Sequence, residues 1–259
     1  MTDLSGHPTQ ILRASGVEGR FMRRYSGCNA RHYETRRQGP QWEAEAQAFR
    51  QLYKRVSPRS ILDCPIGTGR WLGTYQRTGA SVLGIDLSDD MLTEAAKKLR
   101  PNAGVRLERG DLMNPSRPAA LGSGHELIVC TRFAHWLSPQ DLTVLFGRFS
   151  ATGSRYLLLG AMVRPRRRVQ PNPSQKGWRD HLKSLRTWLR PRPPEYVHDE
   201  AFMLQALREC GWTLTARTPV SRSRGVHYYF YLLAGRGANG AEPGRTQSCL
   251  RAGGKLDSD

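Results

Sequence analysis

The chain has 259 residues and a formal net charge of +18, carried mostly by arginine. That length suits one α/β domain with additions, and the charge attracts polyanions or anionic surfaces unless codon bias alone accounts for it. No stretch is long and apolar enough to span a membrane, no apolar leader opens the chain, and Cys28, Cys64, Cys130, Cys210 and Cys249 form neither a C-x-x-C pair nor a Cys/His cluster; a membrane span and a zinc site are excluded, no metal is expected, and a reducing, cytoplasmic setting fits.

Residues 1–20 are rich in Ser, Thr, Gly and Pro and lack periodicity, which predicts a flexible N-terminus. Residues 21–57 predict N-terminal cap helices. Their first half holds Tyr25, Ala30, Tyr33 and Glu34 among basic neighbours. Their second half, 41–56, sets Trp42, Ala46, Phe49, Tyr53 and Val56 at steps of three and four and stops before Pro58.

Residues 58–163 predict the cofactor-binding core. Ser60, Ile61 and Leu62 form a short apolar strand bounded by prolines. Gly67 and Gly69 permit a tight turn and a close ligand approach. Residues 70–77 carry Trp71, Leu72 and Tyr75 on one helical side, with Gly79 as the stop. A second strand, 81–85, then delivers Asp86 at its carboxyl end, where open α/β sheets bind ligands. Asp86 there suits the two hydroxyls of a ribose. A nicotinamide cofactor uses the same architecture, but its G-x-G-x-x-G fingerprint needs glycine where Leu72 stands. Asp63 beside the turn opposes a phosphate and favours a cation, such as the ammonium and sulfonium of S-adenosylmethionine.

The segment from Asp63 to Arg70, D-C-P-I-G-T-G-R, resembles the first motif of the class I S-adenosylmethionine-dependent methyltransferases, with Pro65 where many members carry glycine. V-L-G-I-D-L-S-D-D-M-L, from Val82 to Leu92, is similar to their second-strand signature. The resemblance covers roughly residues 25–233. It implies a Rossmann-like α/β fold: a doubly wound, mostly parallel sheet with an antiparallel C-terminal strand. It also implies an S-adenosyl-L-methionine site. Tyr33 corresponds to the capping aromatic of the family, a ring able to face a sulfonium. Asp63, Pro65, Gly67 and Gly69 fall at the methionine part, Asp86 and Leu87 at the ribose, Asp111 and Leu112 at the adenine, and Cys130 at the end of the fourth strand. Asp111 also reads as a plain turn residue, Tyr33 as packing under a helix, and Cys130 as a small core residue.

Farther along, Ser88 caps a helix whose core face is Met91, Leu92, Ala95, Ala96 and Leu99. A third strand covers 105–107 and a fourth covers 126–130. The sequence from Thr131 to Leu137, T-R-F-A-H-W-L, lacks the D-P-P-Y or N-P-P-Y of DNA amino-group methyltransferases, and Cys130 lacks the neighbouring proline of cytosine-5 enzymes. His135 is a candidate general base because imidazole titrates near neutral pH; the competing reading is packing at a helix start. A helix opens at Ser138-Pro139, buries Leu142, Leu145, Phe146 and Phe149, and leads to a fifth strand, 156–163.

Residues 164–197 predict a basic insertion or lid. Its arginine-rich stretch, 164–192, contains Asp180 as its one acid. Residues 198–235 predict a helix, with Phe202, Met203, Ala206 and Leu207 inward, and a closing hairpin; residues 236–259 predict a disordered tail. The leading expectation is a methyltransferase acting on a small or anionic acceptor held between Tyr33, residues 132–136 and the basic segment. The alternatives are an RNA or other nucleic-acid methyltransferase that tracks phosphates along 164–192, and a catalytically inactive basic binding protein with the same fold.

Overall fold

The computed structural model describes residues 25–113, 121–165, 196–223 and 225–236. The N-terminal 24 residues, the basic stretch beyond Pro165 up to residue 195 and the tail beyond Arg236 lie outside the described residues.

The described chain runs α1 (Cys28–Arg31), α2 (Pro40–Val56), β1 (Ser60–Asp63), α3 (Leu72–Thr78), β2 (Ser81–Asp86), α4 (Asp89–Ala96), β3 (Val105–Arg109), β4 (Leu127–Thr131), a 3-10 turn (Ala134–Trp136), α5 (Pro139–Ala151), β5 (Tyr156–Arg164), β6 (His198–Asp199), α6 (Glu200–Glu209), β7 (Thr213–Ser223) and β8 (Val226–Ala234). The strands form one sheet in the order β3-β2-β1-β4-β5-β8-β7, with the short β6 also on β5. The pairings from β3 across to β5 are parallel, and β8 runs antiparallel to both β5 and β7. This is the doubly wound sheet expected, with its antiparallel C-terminal strand.

The central strands are apolar on both faces because helices cover both. Ile61, Val82, Leu127, Val129 and Leu158 pack toward α2 and α3 through Phe49, Leu52, Leu72 and Tyr75. Leu62, Leu83, Ile128, Leu157 and Leu159 pack the other way, against Leu142, Phe146, Phe149, Met203 and Leu207. The caps read in the sequence are in place. The Ser88 hydroxyl accepts from the Met91 amide at 3.3 Å, and the Ser138 hydroxyl accepts from the Asp141 amide at 3.1 Å.

Three expectations are corrected. The helix after the insertion starts at Glu200, because His198 and Asp199 first pair with β5 and Asp199 then caps it. On that helix Phe202 points outward, 39% exposed, while Met203, Ala206 and Leu207 are buried. On α4 Met91 and Ala95 are buried, Leu92 and, just past the helix, Leu99 are partly buried, and Ala96 faces solvent.

Candidate functional site

The site lies at the carboxyl ends of β1, β2 and β4. The polypeptide leaves β1 at Asp63, turns through Gly67 and Gly69, and enters α3. Gly67 and Gly69 hold φ values of +58° and +72°, conformations that favour glycine. Their neighbourhoods differ. A Cβ at Gly67 meets nothing within 4 Å, whereas one at Gly69 lies 2.4 Å from Leu72 Cδ1 and 3.2 Å from Ala95 Cβ. Gly67 is therefore open to a ligand, and Gly69 lets α3 and α4 close together. Gly69→Ala is expected to cost about 2–4 kcal/mol from φ strain plus overpacking. Gly67→Ala should cost about 1–2 kcal/mol yet weaken ligand binding more. Paired denaturation and ligand titrations check this; equal stability losses with equal binding would count against the assignment.

Asp86 is buried, and both carboxylate oxygens accept backbone N–H groups: Oδ2 from Gly67 at 2.8 Å and Oδ1 from Ser88 at 2.9 Å. Those bonds fix the turn against the end of β2, and the carboxylate keeps lone-pair capacity for a ribose hydroxyl. Burial pushes its carboxyl up to about 6, against the pull of the Ser88, Gly67 and Leu87 amides. Leu87 follows, half-buried. Asp63 lies beneath the turn, 1% exposed; its Oδ2 accepts from the Tyr75 hydroxyl at 3.0 Å. Burial, with a smaller push from Asp86, raises its carboxyl to about 8.

A cavity opens in front of Gly67 and Asp86. Pro65, Ile66, Thr68, Arg70 and Trp71 line it from the turn and the start of α3, and Thr131, Arg132, Phe133 and Trp136 from the segment after β4. Tyr25, Tyr33 and Arg37 close it from the N-terminal segment. That segment is docked: the Ser88 hydroxyl donates to the Tyr25 carbonyl at 2.6 Å, and the Gly27 amide donates to Asp90 Oδ2 at 2.8 Å. The Tyr25 ring sits 5.8 Å from those of both Tyr33 and Trp136. Arg37 covers one face of the Tyr33 ring at 3.5 Å, and Tyr33 also lines the cavity. Burial raises the Tyr33 hydroxyl well above its ordinary range, so it stays a neutral donor.

Of the expected site residues, the structure thus brings Tyr33, Pro65, Gly67 and Asp86 to one cavity. Asp63 and Gly69 support the turn from behind. Asp111 accepts from the Met113 amide at 2.8 Å at the end of β3, and the Leu112 side chain is in the core; neither lines the cavity. Cys130 points into the core, its thiol pushed up by burial, while its neighbour Thr131 lines the cavity. His135 is half-buried on the 3-10 turn, its ring 5.2 Å from that of Trp136. Phe133 and Trp136, on either side of it in sequence, make the cavity wall.

Sequence reasoning missed a charged network behind this wall. Glu45, fully buried on α2, accepts from Arg132 Nε at 2.9 Å and from Arg132 Nη2 at 2.6 Å, with the Tyr228 hydroxyl donating at 3.3 Å. Arg132 has φ +58°, unusual for a non-glycine residue, and this bidentate clamp holds it there. Glu34 accepts from the Thr68 hydroxyl and lies 3.9 Å from Arg70 and 3.6 Å from Lys98. A Glu within an amphipathic helix carries no sequence signal for a partner 87 positions away. Among the described residues no group of His, Cys, Asp and Glu is arranged to hold a metal ion, and no helix is long and apolar enough to cross a membrane.

The glycine turn and the strand-end acid meet at the carboxyl edge of a doubly wound α/β sheet, the edge where such sheets bind ligands. Residues 61–152 match the family model described as a methyltransferase domain. Among curated proteins, it is 31% identical over 133 residues to the dTDP-3-amino-3,6-dideoxy-alpha-D-glucopyranose N,N-dimethyltransferase of Streptomyces fradiae, a match covering 49% of each protein. The chain thus spans about half the length of that relative. In fold it is similar to magnesium protoporphyrin IX methyltransferase (ChlM) from Synechocystis PCC 6803 with bound SAH: TM-score 0.60, 14% identity, 84% of this chain and 99% of that one. It is also similar to an S-adenosylmethionine-dependent methyltransferase from Mesorhizobium loti, with TM-score 0.54, 20% identity, and 74% and 97% coverage.

Proposed function

We propose that this chain transfers a methyl group from S-adenosylmethionine to a small anionic acceptor. The observation that carries the reading is a single cavity lined both by Gly67 and Asp86 and by Tyr33, Arg37, Arg70 and Arg132. The open Gly67 position and the spare lone pairs of Asp86 fit a ribose and its attached chain. S-adenosylmethionine, when bound, supplies a methyl group on an electrophilic sulfonium. The chain's own work is positioning: Asp86 fixes the sugar, Phe133 and Trp136 exclude water, and the arginines orient an acceptor so that its nucleophilic atom faces the methyl group. No step is assigned to His135, whose neighbours form the wall. A sugar-nucleotide relative is compatible with an acceptor bearing phosphate. The nucleic-acid alternative rests on the arginine-rich stretch, nearly all of which lies outside the described residues.

Calorimetric titration with S-adenosylmethionine, S-adenosylhomocysteine and NAD tests the cofactor reading. Both adenosyl compounds should bind and NAD should not. Asp86→Ala removes a charged acceptor worth about 1.5–3 kcal/mol per hydrogen bond, so binding should weaken about a hundredfold or more. Folded wild-type protein that binds neither adenosyl compound would sink the proposal. Labelled-donor assays against amino-sugar nucleotides and small carboxylates then test the acceptor class.

A further inference from the structure

The amino edge of the sheet, opposite the cavity, carries a row of arginines. Strand by strand, Arg100 stands in the loop before β3, Arg77 in the last turn of α3 before β2, Arg59 before β1 and Arg155 before β5. Strand β8 runs antiparallel, so its carboxyl end brings Arg236 to the same edge. Backbone hydrogen bonds tie the row to the strands: the Ser81 amide donates to the Arg59 carbonyl and the Gly235 amide to the Arg155 carbonyl, each at 2.8 Å. From β3 to β8 the row crosses the order β3-β2-β1-β4-β5-β8, about 24 Å at about 4.8 Å per step. Lys54 and Arg55, in the last turn of α2, add charge beside Arg59. Arg155 is half-buried and the others are exposed.

The topology sends most acids to the other edge. Asp63 and Asp86 end parallel strands there, and Asp89 and Asp141 begin helices there. At the amino edge stand Glu126, before β4, and Glu209, at the end of α6. Glu126 Oε2 accepts the Arg59 amide at 2.7 Å, and Glu209 Oε1 accepts from Gln205 Nε2 at 2.9 Å. Glu94, late in α4, is engaged by Lys97 at 2.7 Å. Among the described residues none of Arg55, Arg59, Arg77, Arg100, Arg155 and Arg236 is in an ion pair, whereas Arg70, Arg109, Arg132 and Arg217 each have one. Helix dipoles account for part of the row, since Arg55 and Arg77 lie in the last turns of α2 and α3. They do not account for Arg59, Arg155 and Arg236, which flank strands.

Exposed guanidiniums without carboxylate partners offer their planar forks to phosphate. A membrane-surface protein pairs such charge with exposed Trp, Phe or Leu. The exposed large hydrophobics among the described residues are Val144, Phe202 and Leu214, and only Leu214, at the start of β7, is near this edge. A single file of cations also matches one phosphate backbone better than a lipid surface. We propose that the amino edge is a docking surface for a nucleic-acid strand, gripped through its phosphates without regard to sequence. The edge faces away from Gly67 and Asp86, so the strand is an anchor and not the group methylated in the cavity. The surface stands or falls independently of the methyltransferase reading.

The test titrates labelled single-stranded oligouridine over a salt series into three proteins. They are wild type, an amino-edge variant (Arg59→Gln/Arg77→Gln/Arg100→Gln) and a carboxyl-edge control of equal net charge (Arg109→Gln/Arg164→Gln/Arg222→Gln). Wild-type affinity should fall linearly in log K against log salt. The amino-edge variant should lower that slope by about 2, at about 0.7 per phosphate contact on a single strand, and weaken low-salt binding about tenfold or more. The control should keep the wild-type slope, and thermal midpoints alike in all three proteins show that the fold is intact. No oligouridine binding by wild type overturns the proposal. So does an unchanged slope in the amino-edge variant, or an equal loss in both variants, which would mean that net charge alone attracts the strand. Capture by phosphatidylserine vesicles that needs the amino-edge arginines, without oligouridine binding, would reassign the surface to a membrane. Strand binding of the expected slope in a protein that binds no S-adenosylhomocysteine would keep this surface and discard the cofactor reading.

Discussion

Glu45→Ala is expected to cost about 3–5 kcal/mol of folding free energy, the range for breaking a buried ion pair by removing one partner. For a domain of this size that lowers the thermal midpoint by roughly 10 °C. The cause is local. The Glu45 carboxylate is fully buried and receives both ends of the Arg132 fork as well as the Tyr228 hydroxyl. Its removal leaves a guanidinium and a phenol without their acceptor. It also frees Arg132 from the clamp that holds its backbone at positive φ. The cavity should loosen too, since Arg132 lines it. A Glu45→Leu/Arg132→Met pair separates charge from shape: a buried ion pair replaced by apolar groups is often neutral in stability. The double variant should therefore melt near wild type while binding ligand less well. Urea denaturation of the single and double variants measures this. A single variant within 1 kcal/mol of wild type, taking ~1 kcal/mol as the ordinary effect of a point change, would show that the clamp contributes little.

That clamp marks the boundary of what the sequence discloses. The β1-turn-α3-β2 unit was legible because each device in it is local: apolar strands, glycines at a turn, a stop at Gly79, an acid at a strand end. The strand order follows from right-handed crossovers joining such units. Tyr33 was legible as a capping aromatic through the resemblance, and it lines the cavity. The ion pair of Glu45 with Arg132 was not, because the two residues come from α2 and the end of β4 and meet only through the fold. The roles of the two glycines differ for the same reason: Leu72 and Ala95, from two helices, crowd Gly69 alone. Asp63 is legible only in part. Its charge and place in the motif point to a cationic ligand, and the fold adds what the sequence does not show: burial beneath the turn and a hydrogen bond to Oδ2 from the Tyr75 hydroxyl of α3.

This burial of Asp63 has a pH signature. In the unfolded chain Asp63 and Asp86 titrate near the ordinary 3.8; in the folded chain they are pushed to about 8 and about 6, chiefly by burial. Between the ordinary and the folded value the native state holds the extra proton, so stability falls as pH rises. It is full below about pH 4, and both groups lower it up to about pH 6. Asp63 alone lowers it from there to about pH 8, with a limiting slope of about 1.4 kcal/mol per pH unit. Asp63→Asn carries no charge to desolvate. Its stability should be flat from pH 6 to 8, and near pH 8 it should exceed wild type by on the order of a few kcal/mol. Urea denaturation at several pH values reads this directly; a wild-type curve already flat above pH 6, or an unchanged slope in the variant, would refute it. The same variant separates two roles for this acid. If Asp63 acts only by shaping the turn, the neutral amide should bind S-adenosylmethionine and uncharged adenosine with the same relative change. If its charge reaches the ligand, the cationic cofactor alone should lose affinity, and more so at pH 8 than at pH 6, because the wild-type carboxyl is ionised only toward the upper end of that window.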